Sequence, residues 1–152
     1  MDRNLTVILA APVSDAHVVA LKLLELALHE TGYNPVNLGV CRPTKDIAEA
    51  AASMADGGRV AVLLSCQNGH GLADLADLHD RLQVLGVTDA VHLFAGGRLV
   101  VGAEADRGAV RRAYRAIGIT VLESFEGLFE ALKCLAPASP AGGPRRLARA
   151  AA

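Results

Sequence analysis

Apolar and polar positions along the chain follow two alternating rhythms. Leu5-Thr-Val-Ile-Leu-Ala-Ala11 is a nearly unbroken apolar run with the length and β-branched content of a buried strand, and it stops at Pro12. From Val18 to Thr31 the apolar positions recur at helical spacing until Gly32, a residue suited to the left-handed turn that ends a helix. Pro35–Val40 predicts a second strand, its proline tolerable at a strand start or on an edge. Thr44 is placed to cap a helix running to Met54, Arg59–Leu64 predicts the third strand, Leu72–Leu85 a helix and Ala90–Ala95 the fourth strand. Asp106–Ile117 predicts another helix, Ile119–Leu122 a short fifth strand and Ser124–Leu135 the last helix.

Strict alternation of this kind predicts an α/β, flavodoxin-like (Rossmann-like) fold. Its five-stranded parallel sheet has the order 2-1-3-4-5, with helices on both faces and right-handed crossovers. The predicted domain covers residues 4–135. From Ala136 the sequence changes to APASPAGGPRRLARAAA, which has no core pattern, so 136–152 are expected to be a disordered tail. In that strand order the topological switch point lies between strands one and three. The loops leaving those two strands therefore share a crevice, with the loop after strand four beside them.

Composition narrows the ligand more than the fold. The 152 residues carry 15 basic and 16 acidic side chains, a formal charge of −1, which disfavours nucleic acid, anionic membranes and polyanionic substrates as partners. Hydrophobic residues make up 52% and aromatic ones 3%, with no Trp, so the chain has material for one core and little for stacking bases. Lys22 and Glu25 interrupt the longest apolar run, Ala20–Leu28, far short of the ~20 residues a membrane span needs. Residues 1–10 lack the pattern of a secretory signal. Cys41, Cys66 and Cys134 form no CxxC, so a cytoplasmic, reducing location is expected.

The loop after strand one, Ala11-Pro-Val-Ser-Asp-Ala-His17, contains no glycine. That excludes the G-x-G-x-x-G turn of dinucleotide folds and the G-x-x-x-x-G-K-[ST] phosphate loop. A phospho-receiver would need an Asp closing strand three, where Ser65 stands. What the loop offers is a carboxylate two residues before an imidazole. Asp15 can accept from one ring nitrogen of His17 and leave the other as a metal ligand. The loop after strand three is Ser65-Cys-Gln-Asn-Gly-His-Gly71, and that after strand four is Gly96-Gly-Arg-Leu-Val-Val-Gly102, both glycine-rich beside the switch point. One His–Asp pair above a glycine-lined depth suits a flat or tailed ligand that carries its own metal. Structural roles stand beside these readings: Asp15 as a helix N-cap, Ser65 as a partner for backbone, Gly96 and Gly97 as a simple turn. His70 reads as an exposed turn residue, His29, His79 and His92 as surface or packing residues, and Arg107, Arg111, Arg112 and Arg115 as a solvated helix face.

Ser14-Asp-Ala-His17, Gly32-Tyr-Asn-Pro-Val-Asn-Leu-Gly-Val40, Ser65 and Phe94-Ala-Gly-Gly-Arg-Leu-Val-Val-Gly102 together resemble the cobalamin-binding domain of the carbon-skeleton mutases. Within that family the chain is most similar to the small, or sigma, subunits of methylaspartate (glutamate) mutase, over roughly residues 4–135. The family signature is D-x-H-x-x-G, then S-x-L, then G-G. This chain departs from it at Ala20 and Gln67, and in the acidic loop Leu122-Glu-Ser-Phe-Glu-Gly127 after strand five. The resemblance implies that His17 ligates cobalt in place of the displaced dimethylbenzimidazole base and that Asp15 orients it. It further implies that Ser65 hydrogen-bonds the displaced base and that Gly96 and Gly97 make room for the nucleotide tail. The implied cofactor-binding set is Ser14, Asp15, Ala16, His17, Ser65, Cys66, Gln67, Gly69, Gly96 and Gly97, with His17 the metal ligand, adenosylcobalamin the cofactor and no catalytic residue on this chain.

The implied activity is that of the cofactor-binding component of an isomerase. It would interconvert L-glutamate and threo-3-methyl-L-aspartate in a hetero-oligomer with a larger catalytic subunit of TIM-barrel type, and would be inactive alone. Two other classes stay open: a corrinoid carrier for methyl transfer, which commonly has a helical cap domain ahead of this fold, and a binding or regulatory module that has lost the cofactor.

Overall fold

A computed structural model of the chain describes residues 5–101 and 106–136. The expectations for residue 4 and for the tail from residue 137 onward lie outside the described residues. Five strands, β1 (Leu5–Ala10), β2 (Val36–Asn37), β3 (Arg59–Cys66), β4 (Val91–Gly97) and β5 (Ile119–Val121), form one parallel sheet in the order β2-β1-β3-β4-β5. The helices are α1 (Val18–Glu30), α2 (Thr44–Met54), α3 (Gly71–Asp74), α4 (Leu78–Val84), α5 (Arg107–Ala116) and α6 (Phe125–Leu135).

Side chains alternate across the sheet with a period of two, and each face has its own core. Ile8 and Ala10 of β1 and Val60, Val62, Leu64 and Cys66 of β3 face α2, α4 and α5, where Ile47, Leu78, Leu82 and Tyr114 are buried. Val7 and Leu9 of β1, Ala61 and Leu63 of β3 and Phe94 of β4 face the other way, against Leu21 and Leu28 of α1 and Leu128 and Leu132 of α6.

Four elements differ from the sequence expectation, and so does one cap: Pro43 holds the N-cap position of α2, and the Thr44 hydroxyl donates to Asp77 Oδ1 at 2.6 Å instead of capping the helix. β2 is two residues rather than six. Gly39 adopts φ 87°, and the Asn37 side chain accepts from its backbone N–H at 2.8 Å, so the chain turns away from the sheet edge. The helix expected over Leu72–Leu85 is two helices, because turns at Leu75–Asp77 replace helical bonds: Ala76 N–H donates to Ala73 and Leu78 N–H to Leu75. The apolar spacing persists through the break, since Leu75, Leu78 and Leu82 all enter the same core. β3 and β4 both run two residues further than expected, with Ser65 paired to Gly96 and Cys66 to Gly97. These residues sit on strand ends, not in loops.

Candidate functional site

The loops leaving β1 and β3 meet at the carboxyl edge of the sheet, with the β4 loop packed on the latter at Gly69, and the focus of the first two is the Asp15 carboxylate, with 0% exposure. Its Oδ1 accepts from the His17 backbone N–H at 3.1 Å and pairs with His17 Nδ1 at 2.8 Å. Its Oδ2 accepts from the backbone N–H groups of Gln67 at 2.6 Å and Asn68 at 3.2 Å. Burial alone would raise the carboxyl pKa. The backbone donation from Gln67, the His17 ring and the donations from His17 and Asn68 backbone outweigh it, so the pKa lies below the ordinary carboxylate value. Asp15 is thus an ionised bolt between the β1 and β3 loops. It does not cap α1, whose first turn has no side-chain cap.

An ionised carboxylate only accepts hydrogen bonds, so the proton of neutral His17 is on Nδ1 and the lone pair is on Nε2. The His17 side chain is 58% exposed, which leaves Nε2 open at the rim. Further contacts hold the loop that presents it. Cys41 N–H donates to the Asp15 carbonyl at 3.0 Å and Arg42 N–H to that of Ala11 at 3.0 Å. Ser14 Oγ donates to Asp74 Oδ2 at 2.5 Å and accepts from Asn68 Nδ2 at 2.9 Å. Asn68 and Asp74 are functional candidates that sequence reasoning missed, because pairings across 54 and 60 residues leave no local signal. Among the described residues no group of three or more His, Cys, Asp or Glu side chains could hold a metal ion. His17 Nε2 is thus a single exposed imidazole donor, its ring held from the other side by Asp15.

Beside this rim a cavity of about 370 Å³ opens between α1 and the start of α6. Leu24, Leu63, Phe94, Leu122 and Phe125 give it apolar walls, with Ser65, Gln67 and Gly96 at the strand edge. Ala20 lines it as well, and neither Ala20 nor Gln67 closes it. Ala20, Leu23 and Leu24 all reach it from the first turns of α1. The part played by Leu122 and Phe125 was not evident from the sequence.

The expected site residues fall into groups. Asp15 and His17 form the rim, with Ser14 bracing it, and Ser65, Gln67, Gly96 and Gly97 line the cavity. Ala16 is an exposed link between Asp15 and His17. Cys66 requires correction. Strand alternation turns its thiol away from Ser65 and into the opposite core, where it is 0% exposed and burial pushes its pKa up to about 12. Gly69, at φ 80°, is not on the cavity. A Cβ there would strike the Val101 side chain, so its role is to let the β3 and β4 loops pack. Gly97, at φ 106°, gives space to the chain itself, since a Cβ would collide with the Cys66 carbonyl and the Gln67 amide.

No family model matches the chain. The glutamate mutase sigma subunit of Halobacterium salinarum is 39% identical over 127 residues, covering 84% of this chain and 81% of that protein. Glutamate mutase sigma subunit 1 of Haloarcula marismortui is 36% identical over 126 residues, 83% of this chain and 76% of that protein. Among solved structures, the monomethylamine corrinoid protein of Methanosarcina barkeri superposes with a TM-score of 0.69 at 24% identity, over 87% of this chain and 58% of that one. The methanol:cobalamin methyltransferase complex MtaBC from Methanosarcina barkeri gives a TM-score of 0.67 at 15% identity, over 91% of this chain and 49% of that one. The chain thus spans only about half of those two solved chains, and at such identities the likeness is one of fold.

Proposed function

Since the chain belongs to the glutamate mutase sigma subunit family, we propose that it is the cobalamin-binding component of a glutamate mutase, an isomerase interconverting L-glutamate and threo-3-methyl-L-aspartate. The observation that carries the reading is the buried Asp15 carboxylate holding His17 by Nδ1, with Nε2 open beside an apolar cavity. In this reading His17 Nε2 would hold the cobalt of the corrinoid, and Asp15 fixes the ring's tautomer and direction and strengthens it as a donor. Adenosylcobalamin, when bound, supplies the homolytic chemistry that begins a carbon-skeleton rearrangement.

The chain's own work is to hold and orient. The cavity between α1 and α6 receives the nucleotide tail, and Ser65 offers its hydroxyl to the displaced base. Exposed Val13, Val18 and Val19 beside His17 leave an apolar rim for a covering partner. That partner is a larger catalytic subunit of TIM-barrel type, which binds the amino acid and closes the upper face in a hetero-oligomer. The free cysteines Cys41, Cys66 and Cys134 favour a cytoplasmic assembly, and among the described residues no helix is long and apolar enough to cross a membrane.

Cobalt(II) EPR of the chain loaded with adenosylcobalamin, with and without a catalytic subunit, tests this after reduction. The expected spectrum shows nitrogen superhyperfine splitting that changes when histidine is labelled with ¹⁵N, and this response to the label disappears in His17→Gly at unchanged fold. A splitting that still changes with ¹⁵N-histidine in His17→Gly overturns His17 as the ligand.

A further inference from the structure

The cavity walls are apolar except at one edge. Of the polar side chains lining it, Ser124 Oγ accepts from Gly127 N–H at 3.0 Å and Glu123 lies 3.6 Å from Arg111. Ser65 and Gln67 remain. They are i, i+2 neighbours at the end of β3, on the same side of the sheet, with Gln67 Nε2 at 3.5 Å from Ser65 Oγ. That is the amide's one hydrogen bond among the described residues, and it is long; the carbonyl Oε1 accepts none. The amide lies across the gap that Gly97 leaves, because a Cβ at that position would meet Gln67 Nε2. Gln67 thus gives an otherwise oily slot a paired donor and acceptor.

We propose that Gln67, together with Ser65, makes this cavity selective for corrinoids whose nucleotide base is a purine over those carrying dimethylbenzimidazole. This rests on the cobalamin-binding reading above. A tail entering the cavity displaces water from the amide, and an amide left without partners in apolar surroundings is costly. The outer edge of dimethylbenzimidazole presents two methyl groups and satisfies neither half of it. An adenine edge offers an amino donor beside a ring-nitrogen acceptor, the pairing that a glutamine amide matches with two hydrogen bonds. A leucine at this position, as in the family's S-x-L, offers apolar contact alone and no hydrogen bond to either base.

The test measures dissociation constants by visible absorbance for cobalamin and for its adenine-bearing counterpart. It uses the full chain with and without a catalytic subunit, as wild type, Gln67→Leu and Gln67→Ala, with melting temperatures recorded as a control. Wild type is expected to bind the adenine form at least about tenfold tighter relative to cobalamin than Gln67→Leu does. Gln67→Ala should fall between them. A ratio that is the same in all three proteins, with tight binding throughout, overturns the selectivity and leaves the cobalamin reading standing. Failure of wild type to take up either corrinoid under both conditions overturns that reading and the selectivity with it.

Discussion

The two faces of the sheet are built for different ends. On the α2, α4 and α5 face, large side chains such as Ile47, Leu78, Leu82 and Tyr114 fill the space beneath the helices. On the α1 and α6 face, the lower half is closed by Leu21, Leu28 and Leu132, while the upper half opens into the cavity. Leu23 of α1, on the cavity's margin, stays 58% exposed. One face is closed by its own side chains, and the other leaves apolar surface lining an open cavity. Truncation on the closed face therefore has the largest expected effect on folding. Leu78→Ala should cost about 3 kcal/mol in urea denaturation, while Leu23→Ala should cost less than about 0.5 kcal/mol. Similar losses from the two would erase the contrast.

The rim joins the faces, and its bolt is expected to come next in size. Asp15→Asn keeps the shape and removes the charge to which four donors point. We expect a loss of about 1.5–3 kcal/mol and a weakened histidine signature in the cobalt EPR. Acid should act in the same way. Because the folded carboxyl titrates below its ordinary value of 3.8, its contribution is complete above that value and disappears as pH falls through the lower folded one. Urea midpoints measured from pH 6 down to pH 3 should fall less for Asp15→Asn than for wild type. Parallel profiles would show that Asp15 does not carry this dependence.

A change on the open face should alter binding while leaving stability nearly untouched. Ala20 stands on the cavity wall, so Ala20→Leu fills space that the proposed function assigns to the tail. Corrinoid affinity should drop by tenfold or more with the melting temperature steady or slightly raised, since apolar filling of a void is stabilising when it fits. A variant that binds as wild type does would place the tail elsewhere.

How much of this was readable in the sequence follows from the range of each interaction. Strand order, the helix from Thr44 to Met54 and the meeting of three loops came from local rhythm and from the rules of parallel sheets. The Asp15–His17 pair was also readable, because both partners lie within one turn. The break at Leu75–Asp77 was hidden, since apolar spacing alone does not distinguish a continuous helix from one interrupted by turns that keep Leu75 and Leu78 inward. The apolar run predicts a strand that ends at Leu64, which leaves Cys66 in a loop. Once β3 extends to Cys66, alternation alone turns the thiol inward.

The closed face also holds the smallest expected effect. Tyr114 is completely buried, and its hydroxyl faces the Cys66 thiol without a well-formed hydrogen bond. Burial raises the pKa of both groups, so each is neutral at physiological pH and no charge is held there. Tyr114→Phe removes an unsatisfied hydroxyl and keeps the ring, so stability should change by less than about 1 kcal/mol and in the favourable direction. Native-state alkylation should likewise modify Cys41 and Cys134, which are exposed, and spare Cys66 until the sheet opens. If Tyr114→Phe were strongly destabilising, or Cys66 reacted as fast as Cys41, this face would contain a polar pair under selection, and the division into a filled side and a ligand-completed side would fail where it is most clearly drawn.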